Sequence, residues 1–443
     1  MKQYRKTIVL VIIGVLLFCW YYFYEVKGEK KRKAMELLEK KIFPFDKERV
    51  SFLGIYRQDF QIECVKEKGK WVIKKPKRVD GDKEEIEKII DNLISLEIER
   101  NLGKVDNLKT FGLEEIKKKV ILGEEGKRLI LYIGEENPSG TEYYATRDKK
   151  NVFLVSLWKL KDIINKDLFS LRDKTILPID KEKITEITIK NGPLYIICKK
   201  ENGKWEITKP VKDLADKDKI DDIIDKIKDE KIKNFVEEGK EVSFYGLKFP
   251  KIALMIKEDD KTYSLFIGKK KDGRYYAKNS LKKYIFEIDE SVVNILPEKR
   301  DEMREKSIFD FNTSDVDEFT ITKDKESFSL RKEKEKWKII EFPETKPDKD
   351  KIEDFLWDLT LLEIENFIQV KSSLMERYNL SPPKIKIRVK VNGKFHQVYF
   401  GKKEKDIFYG YSPERKIIFT LPISDYEKID KKIKDFLPEE EKS

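Results

Sequence analysis

The stretch ITEITIKNGPLYIICKKENGKWEITKPVKDLADKDKIDDIIDKI, residues 184–227, changes its hydrophobic period once, and that change decides the fold class. Ile184, Ile187 and Ile189, then Leu194, Ile196 and Cys198, then Trp205 and Ile207 stand apolar at near-alternate positions, as in strands with one buried face. Pro210 ends the third of them. From Lys217 the spacing changes: Ile220, Ile223, Ile224 and Ile227 recur three and four apart behind Asp216 and Asp218, which predicts an amphipathic helix with an acidic start. Four further short strands are expected near 252–257, 262–267, 274–278 and 284–288, then a closing helix over about 289–296. The unit is α+β, a mostly antiparallel sheet with two helices on one face. No βαβ alternation with a glycine fingerprint occurs, which argues against a nucleotide-binding parallel sheet.

The same order of features occurs three times. Trp71, Trp205 and Trp337 stand 134 and 132 residues apart, and Phe111-Gly112-Leu113, Tyr245-Gly246-Leu247 and Tyr378-Asn379-Leu380 stand 134 and 133 apart. Gly134, Gly268 and Gly401 keep that spacing, and Tyr143-Tyr144, Tyr275-Tyr276 and Phe408-Tyr409 follow each of them. Leu171-Arg172-Asp173-Lys174 returns as Met303-Arg304-Glu305-Lys306. Several markers in one register predict three tandem domains, 42–175, 176–308 and 309–438, with a polar tail over 439–443. Each copy is long enough for its own core, unlike solenoid units that must stack to fold.

Ahead of the repeats, Thr7 to Tyr24 is a run of 18 uncharged residues, about 27 Å as a helix at about 1.5 Å per residue and close to the hydrocarbon thickness of a bilayer. Trp20, Tyr21, Tyr22, Phe23 and Tyr24 close it with rings suited to the headgroup layer. Residues 1–41 are thus expected to hold one transmembrane helix, about 7–24, and a basic juxtamembrane helix. A cleaved signal peptide would show a shorter apolar run and a small-residue exit, and Phe18 before Cys19 argues against a lipoprotein site. Lys27, Lys30, Lys31, Arg32 and Lys33 outnumber Lys2, Arg5 and Lys6, so charge alone leaves the orientation open.

Composition narrows the chemistry. The 443 residues carry 95 Lys plus Arg against 84 Asp plus Glu, a net +11. Residues 1–41 supply +6 of that, so the body is nearly neutral, and runs such as Lys332-Glu333-Lys334-Glu335-Lys336 read as solvated faces rather than a phosphate-tracking groove. Nucleic acid is therefore not an expected partner. One histidine, His396, and three cysteines exclude a His/Cys metal centre or a Cys/His nucleophile in practical terms.

The repeat tests each remaining candidate against its equivalents. Cys64 and Cys198 each lie seven positions before their tryptophan, where the third copy has Leu330, so they read as small core hydrophobes and not as a disulfide. His396, beside Phe395, reads as a surface or edge histidine. The loop from Gly134 to Gly140 connects two strands, which makes it a hairpin turn instead of a phosphate cradle. Asp221 and Asp222 fall on the polar face of a helix. The tryptophans, each followed by Pro76, Pro210 or Pro343, are expected to plug the core where strand meets helix. No catalytic, cofactor-binding or metal-ligating residue is assigned, and no cofactor is expected.

The span and basic segment, the order Trp71 to Pro76, Phe111-Gly112-Leu113, Ile133-Gly134 and Tyr143-Tyr144, and their return in later copies resemble the bacterial family called domain of unknown function 4340. The resemblance covers the anchor and residues 42–438, and the third copy departs from it at Asn379 and Phe408. It implies a membrane-anchored protein without assigned activity, of a kind encoded beside ABC-type transporters of the gliding-motility type. The expectation that follows is a non-enzymatic accessory or scaffold protein, single-pass in the cell membrane with its bulk extracytoplasmic, whose partner is an envelope protein such as ABC transporter subunits. The alternative from another class is an envelope ligand-binding module that captures a cell-wall or secreted polymer on its repeated aromatic positions; exposed rings would favour it and buried rings would count against it.

Overall fold

The computed structural model describes residues 21–22, 39–237, 239–324, 326–334 and 336–439. Apart from Tyr21 and Tyr22, the expected membrane span lies outside the described residues, as does most of the basic helix. No helix among the described residues is long and apolar enough to cross a membrane.

Three antiparallel sheets of nine, nine and eight strands follow one another along the chain, each with its own apolar core. In the second, Ile184–Asn191, Leu194–Glu201 and Lys204–Lys209 form a meander whose outer edge is the two-residue strand Asp213–Leu214. After the helix Lys217–Asp229, the strands Ile252–Glu258, Lys261–Lys271, Arg274–Asn279 and Phe286–Asp289 extend the sheet from the other side of Ile184–Asn191, and Asn234–Phe235 closes it. The helix forms where the period predicts. Its N-cap Asp216 accepts from the Lys219 N–H at 2.9 Å, and Ile220, Ile223, Ile224 and Ile227 are buried against the sheet. Asp82 and Asp348 cap the matching helices Lys83–Ile94 and Lys349–Thr360 in the same way.

Two details depart from the sequence expectation. The first and third repeats carry three helices each instead of two: Lys83–Ile94, Leu157–Asn165 and Leu168–Leu171 in one, Lys349–Thr360, Ser372–Arg377 and Tyr426–Ile429 in the other. The closing helix of the second repeat is only Ser291–Asn294, shorter than the expected 289–296, because the strand Phe286–Asp289 runs through its expected start and Pro297 disfavours helical backbone at Leu296, whereas Leu160, Ile163 and Ile164 bury one side of the first repeat's nine-residue helix.

The chain forms two compact units, residues 1–174 and 175–443. The first holds one repeat and the second holds two. The boundary at 174/175 lies one residue before the expected end of the first copy at 175, and the second and third copies share one unit.

Among the described residues, the third sheet has one strand fewer than the other two. In the first two repeats the backbone returns beside the tryptophan strand: Ile73 pairs with Val79 and Ile207 with Asp213, and the Gly81 and Ala215 N–H groups donate to the Trp71 and Trp205 carbonyls, both at 2.9 Å. Ten residues after Trp337 stands Pro347, which has no N–H to donate. The strand Lys336–Ile339 is left as the sheet edge, and Trp337 is half-buried.

Candidate functional site

The recurrent markers converge on one local device per repeat. The aromatic residue of each Phe111, Tyr245 or Tyr378 turn meets the second aromatic residue of the pair beyond the glycine. Phe111 and Tyr144 lie edge to face at 4.9 Å, Tyr245 and Tyr276 at 4.8 Å, while Tyr378 stacks on Tyr409 at 3.8 Å. Between them the ladder is irregular at Ile133/Glu136, Ile267/Lys270 and Phe400/Lys403, one β-bulge per repeat. The marker glycines sit in these bulges: a Cβ at Gly134, Gly268 or Gly401 would overlap the backbone carbonyl oxygen of Phe111, Tyr245 or Tyr378. In the second and third repeats that carbonyl accepts from the Lys269 or Lys402 N–H, at 2.8 and 2.7 Å.

The turn itself needs a left-handed residue. Gly112 and Gly246 have φ of 67° and 74°, and Asn379 has 53°. Asn379 is therefore a conservative departure, since asparagine tolerates this region better than other side chains. Gly268→Ala is expected to cost about 1–3 kcal/mol, the usual range for forcing atoms into filled space. A denaturant titration checks it; a midpoint unchanged from wild type would mean that the turn can move away.

The tryptophans are core residues in two copies of three. Trp71 is 3% and Trp205 6% exposed, each within its own sheet's cluster. Trp337 is only half-buried, packed at 5.8 Å from the Phe319 ring. Cys64 and Cys198 are buried free thiols in separate cores, and burial pushes both up to about 12, so neither is a thiolate at neutral pH. The segment after Gly134 is a hairpin turn, where the Asn137 Oδ1 accepts from the Thr141 and Glu142 N–H groups at 3.0 and 3.2 Å. Asp221 lies 3.6 Å from the Lys181 ammonium and Asp222 is exposed. Among the described residues, no group of three His, Cys, Asp or Glu side chains could hold a metal ion.

One buried polar cluster was missed by sequence reasoning. In the second unit Asp213, on the edge strand of the second repeat, accepts from two arginines. Arg304, at the end of the same repeat, donates Nε to Oδ2 at 2.7 Å; Arg415, in the turn before the last long strand of the third repeat, donates Nε to Oδ1 at 2.9 Å and Nη2 to Oδ2 at 3.1 Å. All three are buried: the side chains are 1%, 7% and 8% exposed. Arg415 also donates to the Ser307 and Glu305 carbonyls, and the Arg304 guanidinium lies 3.7 Å from the Phe367 ring centre. The ends of the two repeats are thus joined by charge-assisted bonds that satisfy both guanidinium forks.

Beside this junction opens a cavity of about 350 Å3, bordered by Trp205, Lys217, Phe309 and His396. Its polar side chains include two pairs in contact with each other. The Lys204 ammonium lies 3.5 Å from Asp310, and the His396 Nδ1 lies 3.2 Å from Glu414. His396 is on the strand Lys394–Glu404, half-buried at the cavity rim. The first repeat has Val79 where the second has Asp213, so the charged junction is not part of what recurs.

The family model described as domain of unknown function (DUF4340) matches the chain three times, over residues 71–250, 205–374 and 337–440. No curated protein and no solved structure matches it. Each family match opens on a marker tryptophan, Trp71, Trp205 or Trp337, and the first two continue past the next one, so the family repeat is offset from the sheets. With three tandem matches that together run from Trp71 to residue 440, the chain belongs to the DUF4340 family.

Proposed function

We propose that this protein is a membrane-anchored, extracytoplasmic accessory or scaffold protein, without catalytic activity, that holds another envelope protein, of the ABC-type transporter kind. The observation that carries the reading is the fate of the recurrent residues. Tryptophan, glycine and aromatic markers are spent on core, bulge and turn, so what the three copies share is a frame and not a chemical constellation. An active site that tripled with the domain would leave a polar group common to all three copies, and the recurring polar positions include helix caps, the arginine at Arg172 and Arg304, and ion pairs shared by two copies each, Lys47–Asp91 with Lys181–Asp225 and Glu186–Lys199 with Glu318–Arg331. Proteins of this build bind through surfaces and sheet edges. The polymer-capture alternative loses support because Trp71 and Trp205 are core residues rather than an exposed platform.

Crosslinking in the native membrane, followed by mass spectrometric identification, tests the reading. Membrane transport subunits joined to residues 42–438 are the expected products. If no protein is captured, and the purified chain instead shows turnover abolished by one carboxylate substitution, the scaffold reading is overturned.

A further inference from the structure

The third sheet ends in an edge that the other two repeats cover. Lys336–Ile339 pairs with Glu326–Glu333 on one side only, and among the described residues no strand pairs with its outer side. The segment that would return to it runs through Pro347, and the apolar side chains just beyond the strand are left in water: Ile340 is 40% and Phe342 56% exposed, beside the half-buried Trp337. On the matching edge of the second repeat, Asp213–Leu214 completes the sheet and the third repeat's Arg415 docks on it. The same edge one repeat earlier is therefore already a docking edge within this chain.

We propose that the outer edge of Lys336–Ile339 takes an extended segment of a partner protein as a ninth strand, and that this segment alternates acidic and apolar residues; the proposal deepens the scaffold reading and rests on it. Side chains alternate across the strand. Trp337 and Ile339 lie on the core side, and Lys336 and Lys338 point to the solvent side, where both are exposed. Residues opposite one another in adjacent strands share a face. An incoming strand thus places one set of side chains against Lys336 and Lys338, where carboxylates are favoured, and the other set beside Trp337, where apolar groups are favoured. A second copy of this chain does not fit. Pairing two such edges antiparallel about Trp337 sets Lys336 against Lys338 of the other copy, and a one-residue slip sets lysines against the apolar face.

The test uses the full chain and three synthetic heptapeptides: alternating Glu and Val, alternating Lys and Val, and the first composition in scrambled order. Hydrogen exchange is followed by mass spectrometry in fragments covering 336–339, with Lys70–Lys75 and Lys204–Lys209, whose edges are already covered, as internal controls. The Glu–Val peptide is expected to slow exchange at 336–339 at least tenfold and to leave the controls unchanged, and the other two peptides are expected to change it less than twofold. Lys336→Glu with Lys338→Glu, and Lys336→Glu alone in case the double variant disturbs the pairing of Lys338 with Glu333, should shift the preference to the Lys–Val peptide. Equal protection by all peptides, no protection at saturation, or protection that grows with protein concentration alone overturns the proposal. The membrane crosslinking result is read separately: a chain that binds the peptide at this edge but captures no envelope protein and shows turnover abolished by one carboxylate substitution removes the scaffold reading and leaves the edge standing, and a partner captured by a chain whose edge ignores every peptide does the reverse.

Discussion

Asp213→Ala is expected to destabilise the second unit by about 3–5 kcal/mol, because it removes the shared counter-charge of two buried guanidinium groups, leaving Arg415 with backbone carbonyls and Arg304 with Asp301 at 3.2 Å. The cost comes from the stranded charges more than from the lost attraction. Asp213→Asn keeps the shape and one acceptor but not the charge, and should fall between wild type and alanine. A triple replacement, Asp213→Leu with Arg304→Met and Arg415→Met, should recover most of the loss, since buried ion clusters exchanged whole for apolar groups of similar volume are often close to neutral. Denaturant titrations of the four proteins decide it. If the triple variant is as unstable as Asp213→Ala, the junction is held by specific geometry and not by charge balance. A loss below 1 kcal/mol for Asp213→Ala would mean that the arginines find water.

Trp205→Ala should cost a similar amount, about 3–5 kcal/mol, the range for emptying a large aromatic side chain from a core. The three copies supply an internal comparison. Trp71→Ala should behave like Trp205→Ala, while Trp337→Ala should cost distinctly less, because part of that ring is already in water and less apolar area returns to solvent on truncation. Unfolding of each variant, followed by denaturant titration and fragment-resolved hydrogen exchange, separates the units. Equal losses at all three positions would contradict the account of the missing strand, since they would place Trp337 in a fully closed core.

Much of this fold was legible in the sequence because its signals are periodic. Ile220, Ile223, Ile224 and Ile227 announce a helix, and the tryptophans and glycines recur at one spacing, so three sheets with one long helix each follow from the string alone. The strands that were missed are mostly two or three residues long, as at Val79–Asp80, Asn234–Phe235 and Asn366–Ile368, too short to show a period, and the longer Arg100–Lys104 has no alternation of apolar residues to read. The consequence of Pro347 was hidden for another reason. Its weight lies in a hydrogen bond that Gly81 and Ala215 make and it cannot, which becomes visible only when the three turns are laid over each other in space. The Asp213 cluster left the least trace. Its members are ordinary charges in a chain that is 40% charged, Arg415 is 202 positions from its carboxylate, and the first repeat has Val79 at the matching place. What repeats could be read, and what joins the repeats could not.

Protease added to intact spheroplasts tests most directly that the body of this protein stands outside the cytoplasmic membrane, which every part of the scaffold reading requires. Cleavage within residues 42–443, with a cytoplasmic marker protein left whole, is the predicted result. A body that stays protected while a known external domain is cut would contradict the account.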